Sequence, residues 1–227
     1  MFSIVLPIHN QAKHVIEILL AYKIELEKED ITYELILVLN ACTDDSINLC
    51  NALKKKDDRI KIIELEKGGW GLAVTKGIES AVGDLICYTN SARTQAETLI
   101  TMIKYSLSNP TSVIKATRKE REGFRRRLGS VLYNFECRTL FDLPTWDING
   151  TPKLFPSNYT PLKNLNRKDD LVDLEFIVTS RENRYPILEV PVFSTKRHSG
   201  KSTTNFKSAF KMYFGAIQYW LEKRRSS

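Results

Sequence analysis

The chain has 227 residues, of which 42% are hydrophobic and 27% are charged. This length supports one substantial hydrophobic core and is too short for two ordinary α/β domains. Lys and Arg outnumber Asp and Glu by 34 to 27, and the net charge of +7 suits an anionic partner without requiring one.

The first 118 residues alternate between short apolar segments and helical patterns. A strand is predicted at "FSIVLPI", closed by Pro7, and a helix follows with apolar residues at positions 15, 18, 19, 22 and 26. A second strand, "YELILVLN", precedes a helix that Thr43 or Asp44 can cap. The third strand is "IKIIEL", and the segment "GGWGLAVTKGIESAVG" predicts a glycine loop and a helix with Gly83 at its C-cap. A fourth strand "DLICYT", a helix over 94–107 and a fifth strand "SVIKAT" complete this half.

The pattern changes after residue 118. A basic loop leads into an amphipathic helix over 119–143, and "WDINGTPKLFPSNY" is rich in turn residues. A helix is predicted over 169–185, a late strand at "PILEVPVF" and a polar loop over 196–205. The closing helix carries its large apolar residues on one face: Phe206, Phe210, Tyr213, Phe214, Ile217, Trp220 and Leu221.

This alternation predicts an α/β protein with an open, mostly parallel, doubly wound sheet and helices on both faces. Ligands of such sheets bind at the carboxyl ends of the strands. Those ends lie here at residues 7–10, 39–43, 67–71 and 89–93, so four loops should converge on one cleft.

The cysteines and the termini exclude several classes of protein. The four cysteines form no C-x-x-C pair, so no zinc site is predicted. The N-terminus lacks the basic start of a signal peptide, and no apolar stretch reaches the ~18 residues that span a bilayer. These features predict a cytoplasmic protein.

Short motifs lie at the predicted strand ends in a defined order. The first half contains "PIHNQ" at 7–11, "LNACTD" at 39–44, a glycine loop at 68–71, "GD" at 83–84 and "NSA" at 90–92. The second half contains "ATR" at 116–118, "DINGTPKLF" at 147–155, "DLE" at 173–175, "EVPV" at 189–192 and "RHSGKS" at 197–202.

In order and spacing these motifs resemble those of family-two glycosyltransferases with the GT-A fold, nearest to the dolichyl- or polyprenyl-phosphate sugar transferases. The resemblance covers the whole chain. It implies a single domain over 1–227, with a nucleotide-binding half (1–118) and an acceptor half that includes the C-terminal helix (119–227). It also implies inverting transfer from a nucleotide-diphosphate sugar to a lipid phosphate or a glycan.

The departures from the family pattern fall on its acidic positions. The family's second strand ends in two acids, where this chain has Leu39 and Asn40. Its metal-binding D-x-D is represented here by Asn90, Ser91 and Ala92. Asn40 can still hydrogen-bond a base or a ribose, but Ala92 cannot ligate anything, and hard divalent cations prefer several anionic or carbonyl oxygens. We therefore doubt that Mg²⁺ or Mn²⁺ binds in the family's usual manner, and we assign no metal ligands.

A leaving diphosphate still needs its charge compensated. Arg93 follows the missing carboxylates directly, and its guanidinium could hold the diphosphate bidentately where a metal would have bridged it. The run Arg125–Arg127 is a further source of positive charge. The residues predicted to contact the donor are Pro7, His9, Asn10, Asn40, Lys67, Gly71, Asn90, Arg93, Arg118, Arg197 and Lys201.

Asp147 matches the acid of the family's second half and is the candidate base or acceptor-positioning residue. Because it precedes "NG" by one residue, it could instead cap a turn. Asp173 and Glu175 are weaker candidates, with a solvated helix face as the alternative. Trp70 could lie over a sugar or cover the edge of the core.

Two further questions stay open at this stage. The closing helix could pack on the sheet, or it could lie on a membrane surface with its flanking lysines and arginines. The four missing acids also allow a degenerate module that binds a nucleotide or sugar without turnover. No nucleic-acid-binding motif is present, so a nucleic-acid partner is not expected.

Overall fold

The computed structural model describes residues 1–119, 124–193 and 206–226, with side chains from residue 127 in the second range and over 210–225 in the third. The strands are β1 (Phe2–Ile8), β2 (Tyr33–Asn40), β3 (Ile60–Leu65), β4 (Leu85–Tyr88), β5 (Val113–Arg118), β6 (Lys153–Pro156) and β7 (Ile187–Val192). The helices are α1 (Val15–Lys28), α2 (Ser46–Lys54), α3 (Trp70–Glu79), α4 (Ala96–Ser108), α5 (Phe124–Phe141), α6 (Thr160–Lys163), α7 (Val172–Glu182) and α8 (Phe206–Ser226).

The strands form one mixed sheet in the order β3-β2-β1-β4-β6-β5-β7. Strand β6 runs antiparallel to both of its neighbours, and the other pairs are parallel. The predicted α/β class with a mostly parallel sheet is therefore confirmed. Strands β6 and β7, which follow residue 118, belong to the same sheet as the strands that precede it.

Both faces of the sheet are covered, which explains why β1 and β2 are apolar at almost every position. Ile4 and Leu37 contribute to one core, together with Leu19 of α1 and Leu99 of α4. The other face carries a second core. It contains Val5, Val38, Val74, Phe155, Phe176 and Tyr219.

Strand β6 was not predicted, because it lies inside the segment expected to consist of turns. It has only four residues, yet it fills the centre of the sheet between β4 and β5. A second correction concerns Gly83, which does not cap α3. That helix ends at Glu79 with Ser80 as its C-cap, and a Cβ at Gly83 would lie 2.8 Å from the backbone oxygen of Met1.

Helix α8 does not bury all of the apolar residues predicted to form one face. Ala216 and Tyr219 are buried in the second core, and the Tyr213 ring packs edge-on against Tyr133 of α5 at 5.6 Å. Four apolar residues of α8 are instead exposed: Phe210, Phe214, Ile217 and Leu221. Among the helices of the described ranges, none has the length and apolar character needed to cross a membrane.

Candidate functional site

The loops after β1 and β2 are joined by direct hydrogen bonds. His9 Nδ1 lies 2.7 Å from the carbonyl oxygen of Asn40. The Asn10 side-chain oxygen accepts the backbone N–H of Thr43 at 2.8 Å. Asn10 and Ala41 both have a φ of 50°, a left-handed conformation in which the chain turns sharply at each strand end. The structure therefore brings the predicted residues His9, Asn10 and Asn40 together at one edge of the sheet, while Pro7 is buried within β1.

Asn40 also fixes the glycine loop. Its side-chain oxygen accepts the backbone N–H of Gly69 at 2.9 Å, and only 8% of the residue is exposed. A base or ribose that donates a hydrogen bond to this oxygen would share it with Gly69, whereas no hydrogen bond to Gly69 involves the side-chain NH₂ group of Asn40. Lys67, which lies two residues before Gly69, is exposed.

Gly71 packs against the second half of the chain. A Cβ at this position would lie 2.2 Å from the backbone oxygen of Asp169, and the neighbouring Leu72 N–H donates to the Lys168 carbonyl at 2.9 Å. The close backbone approach accounts for a glycine here. A backbone N–H group in the first turn of α3 is thus already bonded to the Lys168 carbonyl. Gly71 lies in a packed contact with the 168–169 backbone and not in an open phosphate loop.

The tip after β4 lies beside the β1 loop. Ser91 donates its hydroxyl to the Gln11 side-chain oxygen at 2.9 Å. Asn90 accepts the backbone N–H of Arg93 at 2.9 Å, which closes a turn and leaves the Arg93 side chain half-buried. The Asn90 and Arg93 positions therefore join the same edge as His9 and Asn10.

The tip after β4 offers few ligand atoms for a divalent cation. Ala92 has no ligand atom and is 3% exposed, and Asn90 supplies a neutral amide. No group of three or more His, Cys, Asp or Glu side chains that could hold a metal occurs within the described residues. The donor set at the tip is thus poorer than hard cations prefer.

Asp147 and Arg118 form a forked ion pair at the end of β5. The Asp147 carboxylate accepts Arg118 Nε at 2.8 Å, Nη2 at 2.7 Å and the Arg118 backbone N–H at 2.9 Å. Burial lowers the pKa of Arg118, but its hydrogen bonds and charge interaction with Asp147 more than compensate, and the net pKa is raised. Arg118 thus supplies three of the donors that this carboxylate accepts, and the pair holds both side chains at the end of β5.

The turn around Asp147 also serves the local backbone. Asp147 has a φ of 49°, and its carbonyl accepts the Gly150 N–H at 2.7 Å. A Cβ at Gly150 would lie 2.0 Å from the Ala116 carbonyl oxygen. Asp147 therefore takes part in a turn, as the alternative interpretation expected, and it also pairs with Arg118.

Asp173 and Glu175 do not belong to a solvated helix face, because they are only 4% and 6% exposed. Asp173 accepts Tyr88 Oη at 2.9 Å and Trp70 Nε1 at 2.9 Å, and it also pairs with Lys153. The indole of Trp70 is thus held by a carboxylate of α7. This contact connects the start of α3 to the second half of the chain.

The sheet contains two buried lysines that the sequence did not single out, Lys153, which pairs with Asp173, and Lys115 on the neighbouring strand. The sheet register places Tyr88, Lys153, Lys115 and Glu189 in one row across four adjacent strands. Lys115 pairs with Glu189 at 2.8 Å. Burial lowers the pKa of Lys153 to about 8, although the charge of Asp173 opposes this shift. The only signal for these lysines in the sequence was Lys153, as the lysine of the "DINGTPKLF" motif.

An exposed tryptophan stands next to Asp147. Trp146 is 46% exposed, and the Arg138 guanidinium lies over its indole at 4.1 Å from the ring centroid. The predicted residues Arg197 and Lys201 lie outside the described residues, as do the side chains of Arg125 and Arg126.

Comparisons with known proteins agree with this architecture. Residues 3–155 match the model of the family described as "Glycosyl transferase family 2". Glycosyltransferase GlyG of Streptococcus pneumoniae is 32% identical over 101 residues, which cover 44% of this chain and 33% of that protein. Uncharacterized glycosyltransferase YkcC of Bacillus subtilis is 26% identical over 148 residues, covering 63% of this chain and 46% of that protein. The matched regions thus span less than half the length of these curated relatives.

The fold is also similar to solved structures. Glucosyl-3-phosphoglycerate synthase from Mycobacterium tuberculosis, in complex with Mn²⁺, uridine-diphosphate-glucose and phosphoglyceric acid, superposes with a TM-score of 0.74. The superposition covers 98% of this chain and 79% of that chain at 14% identity. The family match extends from the start of β1 through Asp147 to β6 and includes more than half of the chain. The chain therefore belongs to glycosyl transferase family 2.

Proposed function

We infer that this protein transfers a sugar from a nucleotide-diphosphate sugar to an acceptor. The observation that carries the proposal is the convergence of the loops after β1, β2 and β4 with the glycine loop, joined by the His9–Asn40, Asn40–Gly69 and Gln11–Ser91 contacts. Ligands of open α/β sheets bind at this edge. The fold neighbour that holds uridine-diphosphate-glucose makes a uridine nucleotide the first donor to test.

The proposed reaction is an inverting displacement in which an acceptor oxygen attacks the anomeric carbon and the nucleoside diphosphate leaves. A phosphate acceptor is already anionic and needs less help from a base than a hydroxyl does. Asp147 is the candidate to position the acceptor or to take its proton. We propose a lipid phosphate or a glycan as the acceptor.

We expect Arg93 to replace the metal in compensating the diphosphate charge. Arg93→Ala should weaken donor binding by about tenfold or more, because charge-assisted hydrogen bonds contribute ~1.5–3 kcal/mol. The measurement is a thermal-shift and calorimetric titration with UDP-, GDP- and CDP-sugars, with Mn²⁺ and with EDTA. Arg225→Ala, which removes an exposed arginine from the end of α8, is the matched control. Loss of donor binding in EDTA would contradict the proposed role of Arg93.

A second candidate function is a binding module without turnover. The absence of carboxylates at Leu39, Asn40, Asn90 and Ala92, together with the pairing of Asp147 to Arg118, favours it. The same titration separates the two candidates. A donor that binds but releases no sugar on long incubation with lipid-phosphate and glycan acceptors would favour the module.

We also propose that α5 and α8 contact a membrane surface. A second exposed apolar stripe occurs on α5, which contacts α8 through Tyr133 and Tyr213. The stripe consists of Leu128, Val131, Leu132 and Phe135. Lys211, Arg224 and Arg225 are exposed on α8 and add positive charge. An amphipathic surface of this kind binds anionic bilayers through apolar area and electrostatic attraction.

Flotation with liposomes tests this surface. The wild-type protein should float with anionic vesicles, and Phe210→Ser/Phe214→Ser should abolish flotation without unfolding the protein, because both side chains are more than half exposed. Val82→Ser, which removes an exposed apolar residue elsewhere, is the control. A wild-type protein that stays at the bottom of the gradient would exclude the membrane proposal.

A further inference from the structure

A polar groove lies on the side of the sheet that carries the second core. It is separate from the contacts that form the candidate donor site. It has a volume of about 530 Å³ and runs between the 161–167 segment, one face of α7 and the last turns of α8. This volume falls within the range of ligand-binding clefts, which is roughly 300–1,000 Å³.

A buried carboxylate holds one wall of the groove in place. Glu175 accepts the backbone N–H groups of Asn166 at 3.0 Å and Arg167 at 2.8 Å, one with each oxygen. The residue is 6% exposed, so its charge is used to fix the 166–167 backbone. The wall is therefore formed before any ligand arrives, which lowers the ordering cost of binding.

The opposite wall comes from α8. The Arg167 guanidinium lies over the Tyr219 ring at 4.9 Å from its centroid and reaches Glu222 at 3.5 Å. Lys223 pairs with Glu182 of α7 at 2.6 Å. Both cations of the groove thus have a carboxylate partner, and the third carboxylate, Glu175, accepts two backbone N–H groups, so each charged side chain of the lining is already engaged within the protein.

The unused hydrogen-bonding capacity of the groove is concentrated in amides. In the part of the chain that the structure describes, the exposed side chains of Asn164 and Asn166 have no hydrogen-bond partner. Asn183 donates to the Thr179 carbonyl at 2.8 Å and keeps its side-chain oxygen available. A side-chain amide offers both donors and an acceptor, a combination that pairs with neighbouring hydroxyl groups.

We propose that this groove binds a neutral carbohydrate chain. A ligand that matches it must be uncharged and must present many hydroxyl groups, since the lining is polar, charge-paired and rich in amides. The 166–167 wall leads directly into Lys168 and Asp169, whose backbone packs on the start of α3. A carbohydrate chain in the groove would therefore lie next to a loop that borders the candidate donor site. The use of the groove as an acceptor or product site rests on the proposed function, whereas carbohydrate binding itself does not.

Calorimetry and ¹⁵N NMR with neutral tetrasaccharides test the proposal. The probes are maltotetraose, cellotetraose, mannotetraose and chitotetraose at millimolar concentration, with a hyaluronan tetrasaccharide as the charged comparison. At least one neutral probe should bind and shift the side-chain amide signals of Asn164 and Asn166. Binding should be about tenfold weaker in Asn164→Ala/Asn166→Ala, because the variant lacks two side-chain amides that hydrogen-bond the probe.

The variant loses no hydrogen bond of the folded chain, so it should retain the wild-type melting temperature. Asn158→Ala removes another exposed amide outside the groove and should bind as the wild type does. UDP-sugar binding in the double variant should be unchanged, which keeps a failure of the groove separate from a failure of the proposed function. The proposal is overturned if no neutral probe binds, if only the charged probe binds, or if binding survives the double substitution.

Discussion

Asp147→Asn is expected to lower the turnover of sugar transfer by ~10²–10⁴-fold, the usual contribution of a positioned general base. Asparagine tolerates the positive φ of this position and can still accept one hydrogen bond from Arg118, so the turn should form. Donor binding, measured by calorimetry with the sugar nucleotide, should change little. Turnover within twofold of the wild type would show that Asp147 takes no part in the reaction.

The same substitution should destabilise the protein, because it leaves the Arg118 guanidinium without its carboxylate. Breaking a buried pair typically costs about 3–5 kcal/mol, and the 22% exposure of the Arg118 side chain places the expected loss at or below the lower end. Arg118→Met/Asp147→Asn should cost less than the sum of the single substitutions in urea unfolding. This double-mutant cycle separates the structural role of the pair from the loss of turnover.

Asp173→Asn is expected to be among the most destabilising single substitutions in the chain, by about 3–5 kcal/mol. One carboxylate accepts Tyr88, Trp70 and Lys153, and the amide that replaces it can neither accept all three nor neutralise the lysine. Without the carboxylate, burial should lower the pKa of Lys153 below its present value of about 8. Urea unfolding at pH 7 measures the loss.

Asp173→Leu/Lys153→Met should recover part of that stability, since an apolar pair replaces two buried charges. The recovery should be incomplete, because Trp70 and Tyr88 keep donors without an acceptor. Asp58→Asn, which changes an exposed carboxylate, should leave the free energy of unfolding unchanged. A loss below about 1 kcal/mol for Asp173→Asn would contradict the central position assigned to this residue.

The sequence predicted the elements with strong periodic patterns. Apolar runs predicted strands β1, β2 and β3. The geometry of parallel sheets predicted the edge at which the loops after β1, β2 and β4 meet. Strand β6 escaped prediction because its four residues include a fully buried lysine, a residue type that patterns assign to the surface. Lys153 can be buried there because α7 places the carboxylate of Asp173 beside it.

The sequence named candidate residues one by one, but it did not predict how they pair. Arg118 and Asp147 were both identified from motifs, yet they are 29 residues apart, and their fork depends on how the turn at Gly150 approaches β5. Trp70 and Asp173 are 103 residues apart, so neither proposed role for the tryptophan included a carboxylate partner. Such contacts follow from topology, which local patterns do not contain.

The antiparallel strand at the centre of the sheet sets the order in which the chain can be completed during synthesis. Until residues 153–156 leave the ribosome, β4 has an open edge and β5 has no neighbour on that side. Unpaired edges of this kind can template aggregation. A nascent chain that ends near residue 118 therefore lacks the strand that lies between β4 and β5, and these two strands complete their pairing only after the second half has been synthesised.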